Sequence, residues 1–253
     1  MNKVQINSVK SDYQEIFERD GYVALQAVLS EVKLLRLRKD LQLIIDKHDH
    51  LLSKEDSLDK KIINLNKTNK KSLYNFQIEA SKLVSLYALA DDLLNIVEKF
   101  SYYDNKPLLE GVGYVLGIPD SNRLSYGWHQ DGTYQEKMTG TRLHVWFPIF
   151  NDATLKNGCM TFLEGSHNLG VLGFKKIKYE NMGYTTNSVE NIDTIIEQHR
   201  HIACELSVGD CVIFNDSLIH RSNKNLTQFC RVAAVFKIRF TDNLEKHLSL
   251  VGI

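Results

Sequence analysis

Hydrophobic and polar positions along this chain follow two different periods, and the change between them falls near Pro107. Ahead of it the spacing is helical. Tyr13 to Arg19 predicts a short helix ending near Asp20-Gly21, and Tyr22-Val23-Ala24-Leu25 then reads as a strand. Ser30 is placed to cap the next helix. In it Leu34, Leu37, Leu41 and Ile44 recur three or four residues apart, with Arg36, Lys39, Asp40 and Lys47 between them. Lys54 to Lys71 is dense in Lys, Asp and Asn and reads as an exposed loop or a frayed helix. Leu83, Leu86, Leu89, Leu93, Leu94 and Val97 predict one further helix over Ile78 to Phe100.

Beyond Pro107 the pattern changes to short strand-like runs: Val112 to Ile118, Leu143 to Phe150, Cys159 to Leu163, Cys204 to Val208, Cys211 to Asn215 and Arg231 to Phe240. Turn signals separate them at Asp120-Ser121-Asn122, Lys156-Asn157-Gly158, Gly209-Asp210 and Asn223 to Asn225. Helices first and many strands afterwards suggest a β-sandwich or barrel with helices packed on one sheet. The expected organisation is a single domain over residues 1–253, in which a helical N-terminal region (residues 1–106) packs on a barrel formed by residues 107–253.

Composition narrows the function. Lys plus Arg (31) equals Asp plus Glu (31), a balance that argues against nucleic acid, whose phosphates favour a basic surface. No run approaches the roughly 20 apolar residues that span a bilayer, and Met1 to Asp20 lacks an apolar signal core. Cys159, Cys204, Cys211 and Cys230 show no CxxC spacing and read as buried apolar thiols. The expectation is a cytoplasmic protein that acts on a small-molecule substrate, with no nucleic-acid or membrane partner. Oligomeric state is not readable from the pattern.

The candidate chemistry begins at Trp128-His129-Gln130-Asp131-Gly132. On an extended backbone side chains alternate, so His129 and Asp131 point one way and can share a metal ion. A third ligand is available in His220, beyond the strand-like run that starts at Gly209-Asp210. Two imidazoles and one carboxylate on one face of an octahedral ion leave three positions open, which suits iron(II) sites that admit a chelating co-substrate and dioxygen. A closed zinc site would instead be filled with thiolates or imidazoles. Arg231 opens a strand and shares its parity with Ala233 and Val235. A buried guanidinium needs a partner, and the distal carboxylate of a dicarboxylate co-substrate could supply one, with the Ser222 hydroxyl as a second donor.

These segments resemble the phytanoyl-CoA dioxygenase family of iron(II)/2-oxoglutarate oxygenases over nearly the whole chain. The resemblance is carried by Arg19-Asp20-Gly21-Tyr22-Val23, Trp128-His129-Gln130-Asp131-Gly132-Thr133 and Asn157-Gly158-Cys159-Met160 with Gly165-Ser166-His167. It continues through Gly209-Asp210 and His220-Arg221-Ser222-Asn223 to Arg231. It implies a mainly β fold with flanking helices, a double-stranded β-helix (jelly-roll, cupin-like) barrel. It implies His129, Asp131 and His220 as metal ligands and catalytic residues. Arg231 and Ser222 would bind the distal carboxylate of 2-oxoglutarate, with Trp146 bordering it. The implied cofactors are iron(II), 2-oxoglutarate and dioxygen, with ascorbate as a stimulant. Glu164 stands where the family commonly has proline, a change expected to alter a turn rather than the chemistry.

The implied activity is hydroxylation of an unactivated C–H bond of a metabolite or biosynthetic intermediate, with release of succinate and carbon dioxide. Desaturation, ring formation or epimerisation by the same iron chemistry stay open, as does a non-catalytic metal-binding module. A halogenase would carry a small residue in place of Asp131. Among further candidates, His167 is expected to hydrogen-bond within its loop, while His144 could face substrate. Tyr114 is expected in the core and Arg123 in solvent. Lys175, Lys176 and Lys178 are expected at the solvated edge of a substrate-covering lid within 173–203.

Overall fold

The structure, a computed structural model, describes residues 1–253 apart from 2, 6–9, 52, 54–55, 99–105, 122–125, 135–140, 180–183 and 241–253. The chain runs β1 (Lys3–Gln5), α1 (Lys10–Asp20), β2 (Tyr22–Gln26), α2 (Glu31–His48), α3 (Leu58–Thr68), α4 (Lys70–Ala80) and α5 (Val84–Glu98). The β region follows as β3 (Pro107–Gly117), β4 (Thr141–Pro148), β5 (Met160–Leu163), β6 (Phe174–Tyr179), β7 (Tyr184–Val189), α6 (Ile192–Gln198), β8 (His201–Ala203), β9 (Cys211–Asn215), β10 (His220–Ser222) and β11 (Arg231–Phe240).

Six strands form the larger sheet in the order β1-β2-β9-β4-β11-β3, and β10-β5-β8 form a smaller one. Strand alternation divides the core between the two faces of the larger sheet. Val23, Leu25, Leu143, Val145, Phe147, Ile213, Val232, Ala234 and Phe236 pack with Leu34, Leu37, Leu41, Leu86, Leu89 and Leu93 of the helices. Tyr22, Ala24, Trp146, Val212, Phe214 and Ala233 face the other way and pack with Met160 and Phe162 of the smaller sheet. Two facing sheets with helices outside one of them is the jelly-roll arrangement that the sequence implies. α2 forms where expected: Ser30 Oγ accepts from the Lys33 N–H at 3.5 Å, and Leu34, Leu37, Leu41 and Ile44 are buried. Each such buried leucine contributes ~1.5–3 kcal/mol relative to exposure. No helix among the described residues is long and apolar enough to cross a membrane.

Three expectations are corrected. Much of Lys54 to Lys71 is the regular helix α3, in which Leu58, Ile62 and Leu65 form a buried stripe. Its many lysines hide that stripe, and one of them, Lys61, is itself buried, its Nζ 2.6 Å from Asp46 Oδ1. The single helix expected over Ile78 to Phe100 is broken. Ser81 N–H still bonds Gln77 O, but Lys82 N–H bonds Glu79 O and the chain tightens into a turn between α4 and α5; the end of the expected helix lies outside the described residues. Cys204 to Val208 is not a strand. β8 precedes it, and Leu206 makes only an isolated bridge to Ala153, because Asp210 captures the Ser207 N–H at 3.0 Å and the Ala27 N–H at 3.0 Å. Finally, 173–203 holds a β6–β7 hairpin and the short helix α6.

Candidate functional site

An isolated antiparallel bridge brings two distant segments together. His129 N–H donates to His220 O and His220 N–H to His129 O, each at 2.9 Å. The extended backbone then ends at Asp131, which opens a 3-10 turn through Tyr134. The Gly132 N–H bonds Asp216 O at 2.9 Å, and the Thr133 hydroxyl bonds Gln130 O at 2.7 Å. β9 stops at Asn215, and His220 is the first residue of β10 rather than a residue beyond a strand end. His129 Nε2 lies 3.8 Å from Asp131 Oδ1, and His220 Nε2 lies 3.9 Å from Asp131 Oδ2. All three ligand atoms fall within 4.8 Å of one another, a group that could hold one metal ion.

The second ring nitrogens are tied back in the same way. His129 Nδ1 meets Gly127 O at 2.8 Å and His220 Nδ1 meets Leu218 O at 2.9 Å. With Nδ1–H donating to a carbonyl, Nε2 carries the free lone pair toward the shared point, the arrangement that orients metal-bound histidines. Burial, and then the neighbouring His220, lowers His129 to about 4. Burial likewise lowers His220. Burial alone would raise the Asp131 carboxyl, but His144, His220, His129 and the Lys237 ammonium outweigh it and hold the group well below the carboxylate range. At neutral pH the trio is therefore two neutral imidazoles and one carboxylate, the protonation state a divalent cation requires.

Two further residues in these motifs hold the scaffold. Gln130, whose side chain opposes His129, is fully buried; its Nε2 donates to Gly170 O at 2.7 Å and Ser217 O at 2.6 Å, and its Oε1 accepts from Leu172 N–H at 2.8 Å. Gly21 has φ +81°, and a Cβ there would lie 2.4 Å from His167 Nδ1, so only glycine allows that approach. His167 Nε2 reaches Glu18 O at 3.0 Å; its bond goes to the end of α1 rather than within its own loop.

A cavity of about 650 Å³ adjoins the trio, and Trp146, Ser222 and Lys237 share its wall. Arg231 is buried behind Trp146, its guanidinium carbon 5.2 Å from the ring centroid. Among the described residues its side chain makes one long hydrogen bond, Nη1 to Val115 O at 3.4 Å, and neither its Nε nor Trp146 Nε1 has a partner. Burial pulls the guanidinium below its ordinary value, opposed only by the thiols of Cys230, Cys159 and Cys204. Buried polar groups are normally satisfied, so these donors fit an anion that the protein itself does not provide. Gly117 makes room: a Cβ there would sit 3.1 Å from both Nε and Nη2 of Arg231. Ser222 ends β10 with its N–H bonded to Tyr126 O at 2.9 Å. The residues present therefore fit a divalent metal with an anionic chelate beside it.

The remaining candidates divide. His144 is buried, with Nδ1 3.3 Å from Asp131 Oδ2 but not aligned to hydrogen-bond it, and its ring stacks on Phe214. It borders the trio rather than completing it. Tyr114 packs in the helix-side core and donates to Ala80 O at 3.3 Å, although it also touches the cavity. Lys175, Lys176 and Lys178 are exposed on the hairpin. Arg123 lies outside the described residues. Glu164 binds Arg200 through two bonds of 2.7 Å and accepts the Tyr22 hydroxyl at 3.0 Å. All four cysteines are buried and free. The sequence reading missed Lys237, although the alternation that turns Arg231 inward turns Lys237 inward too. It also missed α4, whose Tyr74, Gln77 and Ile78 wall the cavity; no local signal marks that contact.

Comparison with known proteins places the chain by family and fold. The curated phytanoyl-CoA dioxygenase of Arabidopsis thaliana is 23% identical, over 89% of this chain and 87% of that protein. Among solved structures, apo EctD from S. alaskensis superposes with a TM-score of 0.64 at 19% identity, covering 94% of this chain and 80% of that one. The epimerase SnoN, solved with Fe3+, alpha ketoglutarate and nogalamycin RO, gives 0.61 at 17% identity, covering 91% and 83%. These likenesses establish the jelly-roll fold. The model of the phytanoyl-CoA dioxygenase (PhyH) family matches residues 17–233, and the chain belongs to that family.

Proposed function

We propose that this protein is an iron(II)- and 2-oxoglutarate-dependent dioxygenase that hydroxylates an unactivated C–H bond of a small-molecule substrate. The observation that carries this reading is the convergence of His129, Asp131 and His220 beside the under-partnered Arg231. When bound, iron with 2-oxoglutarate and dioxygen supplies the oxidising power, and succinate and carbon dioxide leave. The chain's own task is geometric. His129 and His220 would hold the metal through Nε2 and Asp131 would add the charged ligand, a two-histidine, one-carboxylate set of the kind that suits iron(II) with a chelating co-substrate. Arg231 receives the distal carboxylate as a charge-assisted pair, flanked by Ser222 and Trp146. The hairpin is tied onto the ligand segment by Asn187 Nδ2 to Thr133 O at 3.0 Å and by Val189 N–H to Trp128 O at 3.1 Å. Thr185 of the hairpin and Tyr74, Gln77 and Ile78 of α4 form part of the cavity wall.

A halogenase needs a small residue where Asp131 stands, and a non-catalytic module has no use for the complete set kept here. The test is Asp131→Ala. The variant is expected to fold, to bind manganese poorly, and to release no succinate above the metal-free background when supplied with iron(II) and 2-oxoglutarate. Wild-type rates from that variant would refute the assignment.

A further inference from the structure

Arg231 and Lys237 point to the same side of β11, six residues apart, which is roughly 20 Å of strand. Arg231 lies behind Trp146, whereas Lys237 lines the cavity opposite His144 in the β4 register. Lys237 is half-buried and makes no hydrogen bond or ion pair among the described residues. The neighbouring acids are engaged elsewhere. Glu110 takes Arg142 Nε at 3.0 Å and also Arg239, and the charge of Asp216 acts on Arg142. Asp131 feels the Lys237 charge, but in the oxygenase reading it is committed to the metal.

The charges around a loaded site then leave a remainder. The divalent metal and Arg231 are balanced by Asp131 and the two carboxylates of 2-oxoglutarate. Arg142 and Arg239 are balanced by Glu110 and Asp216. Lys237 is left in the half-buried cavity wall without a counter-charge among the described residues, a position where an anion would gain a charge-assisted hydrogen bond. The cavity wall that Lys237 shares carries apolar and aromatic side chains, among them Tyr74 and Ile78 of α4, Val112, Val235 and Phe214, together with the polar Gln77, Ser81 and Thr185.

We infer that Lys237 anchors a negatively charged group of the substrate, and that the substrate is a small organic acid, a carboxylate or phosphate monoester on an apolar body. The inference rests on the oxygenase reading for its partition of the cavity. Arg231 and Lys237 then bracket the metal, one holding the co-substrate and the other fixing which carbon of the substrate lies beside the ligand trio. Such an ion pair selects against neutral analogues, because a neutral group covers the half-buried ammonium without pairing it.

The test is calorimetric titration of iron(II)-loaded protein with 2-oxoglutarate under argon. The probes are 3-phenylpropionate, 3-phenylpropionamide and phenethyl phosphate. At least one anion is expected to bind ~10-fold or more tightly than the amide, a difference of about 1.4 kcal/mol. The tighter of the two anions identifies the headgroup. Lys237→Met should erase the preference and Lys237→Arg should keep it. Binding of neither anion more tightly than the amide, a preference that survives in Lys237→Met, or no binding of any probe would each overturn the inference. So would a weakened 2-oxoglutarate affinity in Lys237→Met, since it would assign the lysine to the co-substrate. In the same samples, absence of the visible charge-transfer band of bound iron(II) and 2-oxoglutarate would refute the oxygenase reading instead. Repeating the acid–amide comparison on metal-free protein separates the two failures.

Discussion

The two faces of β11 divide the work of the molecule. Toward the helices it presents Val232, Ala234, Phe236, Ile238 and Phe240, all buried in one apolar cluster. Toward the smaller sheet it presents Arg231, Ala233, Val235, Lys237 and Arg239, with three cations in five positions. The first face stabilises by removing apolar surface from water. The second holds charges that the fold would be more stable without, since an under-partnered buried guanidinium is destabilising until a ligand meets it. A period of two along one strand thus separates what keeps the protein folded from what lets it bind. Substitutions on either face should show that separation.

The largest effect is expected on the helix side. Phe236 packs edge-on against Phe147 at 5.5 Å between ring centroids. Phe236→Ala should cost ~3–5 kcal/mol through lost contacts and the cavity left behind. In a chain of this size that corresponds to a fall in Tm on the order of 10 °C. The affinity of the folded protein for 2-oxoglutarate should not change. An unchanged Tm, or a parallel loss of affinity, would break the division. On the other side, Arg231→Met should raise the 2-oxoglutarate requirement ~100-fold or more, a loss of about 2.7 kcal/mol. Its Tm without ligand should hold or rise. Retained 2-oxoglutarate affinity in that variant would remove the arginine from the co-substrate site.

This division is also what made some regions of the molecule legible in the sequence. The alternation from Arg231 to Phe240 is readable because the inward face tolerates Arg and Lys while the outward face does not. The three ligands could be named from their motifs. Their convergence could not be derived locally, because it depends on the His129–His220 bridge between segments far apart in the chain. α3 was obscured for a related reason: Lys61 is buried only because Asp46 of α2 meets it, and a residue's type does not reveal its partner. The strand read into 204–208 failed because the Asp210 side chain captures a backbone donor there. Likewise the three bonds of Gln130 become visible only when Gly170, Leu172 and Ser217 arrive from elsewhere.

A smaller effect distinguishes the faces by acid. The helix-facing side of β11 carries no group that titrates below neutral pH, whereas the inner face looks onto His129, His144 and His220, all lowered by burial. For His129, lowered to about 4, the unfolded chain takes up a proton near pH 6.5 while the metal-free folded protein does not. The unfolded state therefore binds more protons between those values, and folded stability falls as pH drops from about 6.5 toward about 4. The slope is at most ~1.4 kcal/mol per pH unit for each such histidine. Asp131 adds to the loss only below about pH 4, where the unfolded carboxyl takes up a proton while the depressed folded one stays ionised. The Tm of metal-free protein should thus be level from pH 8 to 7 and decline below 6.5, with a shallower decline in His129→Asn. Saturating manganese should lift the whole curve, and lift it less in acid, since protons and metal compete for the same nitrogens. A metal-free Tm that stays flat down to pH 5 would mean these imidazoles are not held neutral by the fold, and the inner face would lose its claim to be a preformed ligand set.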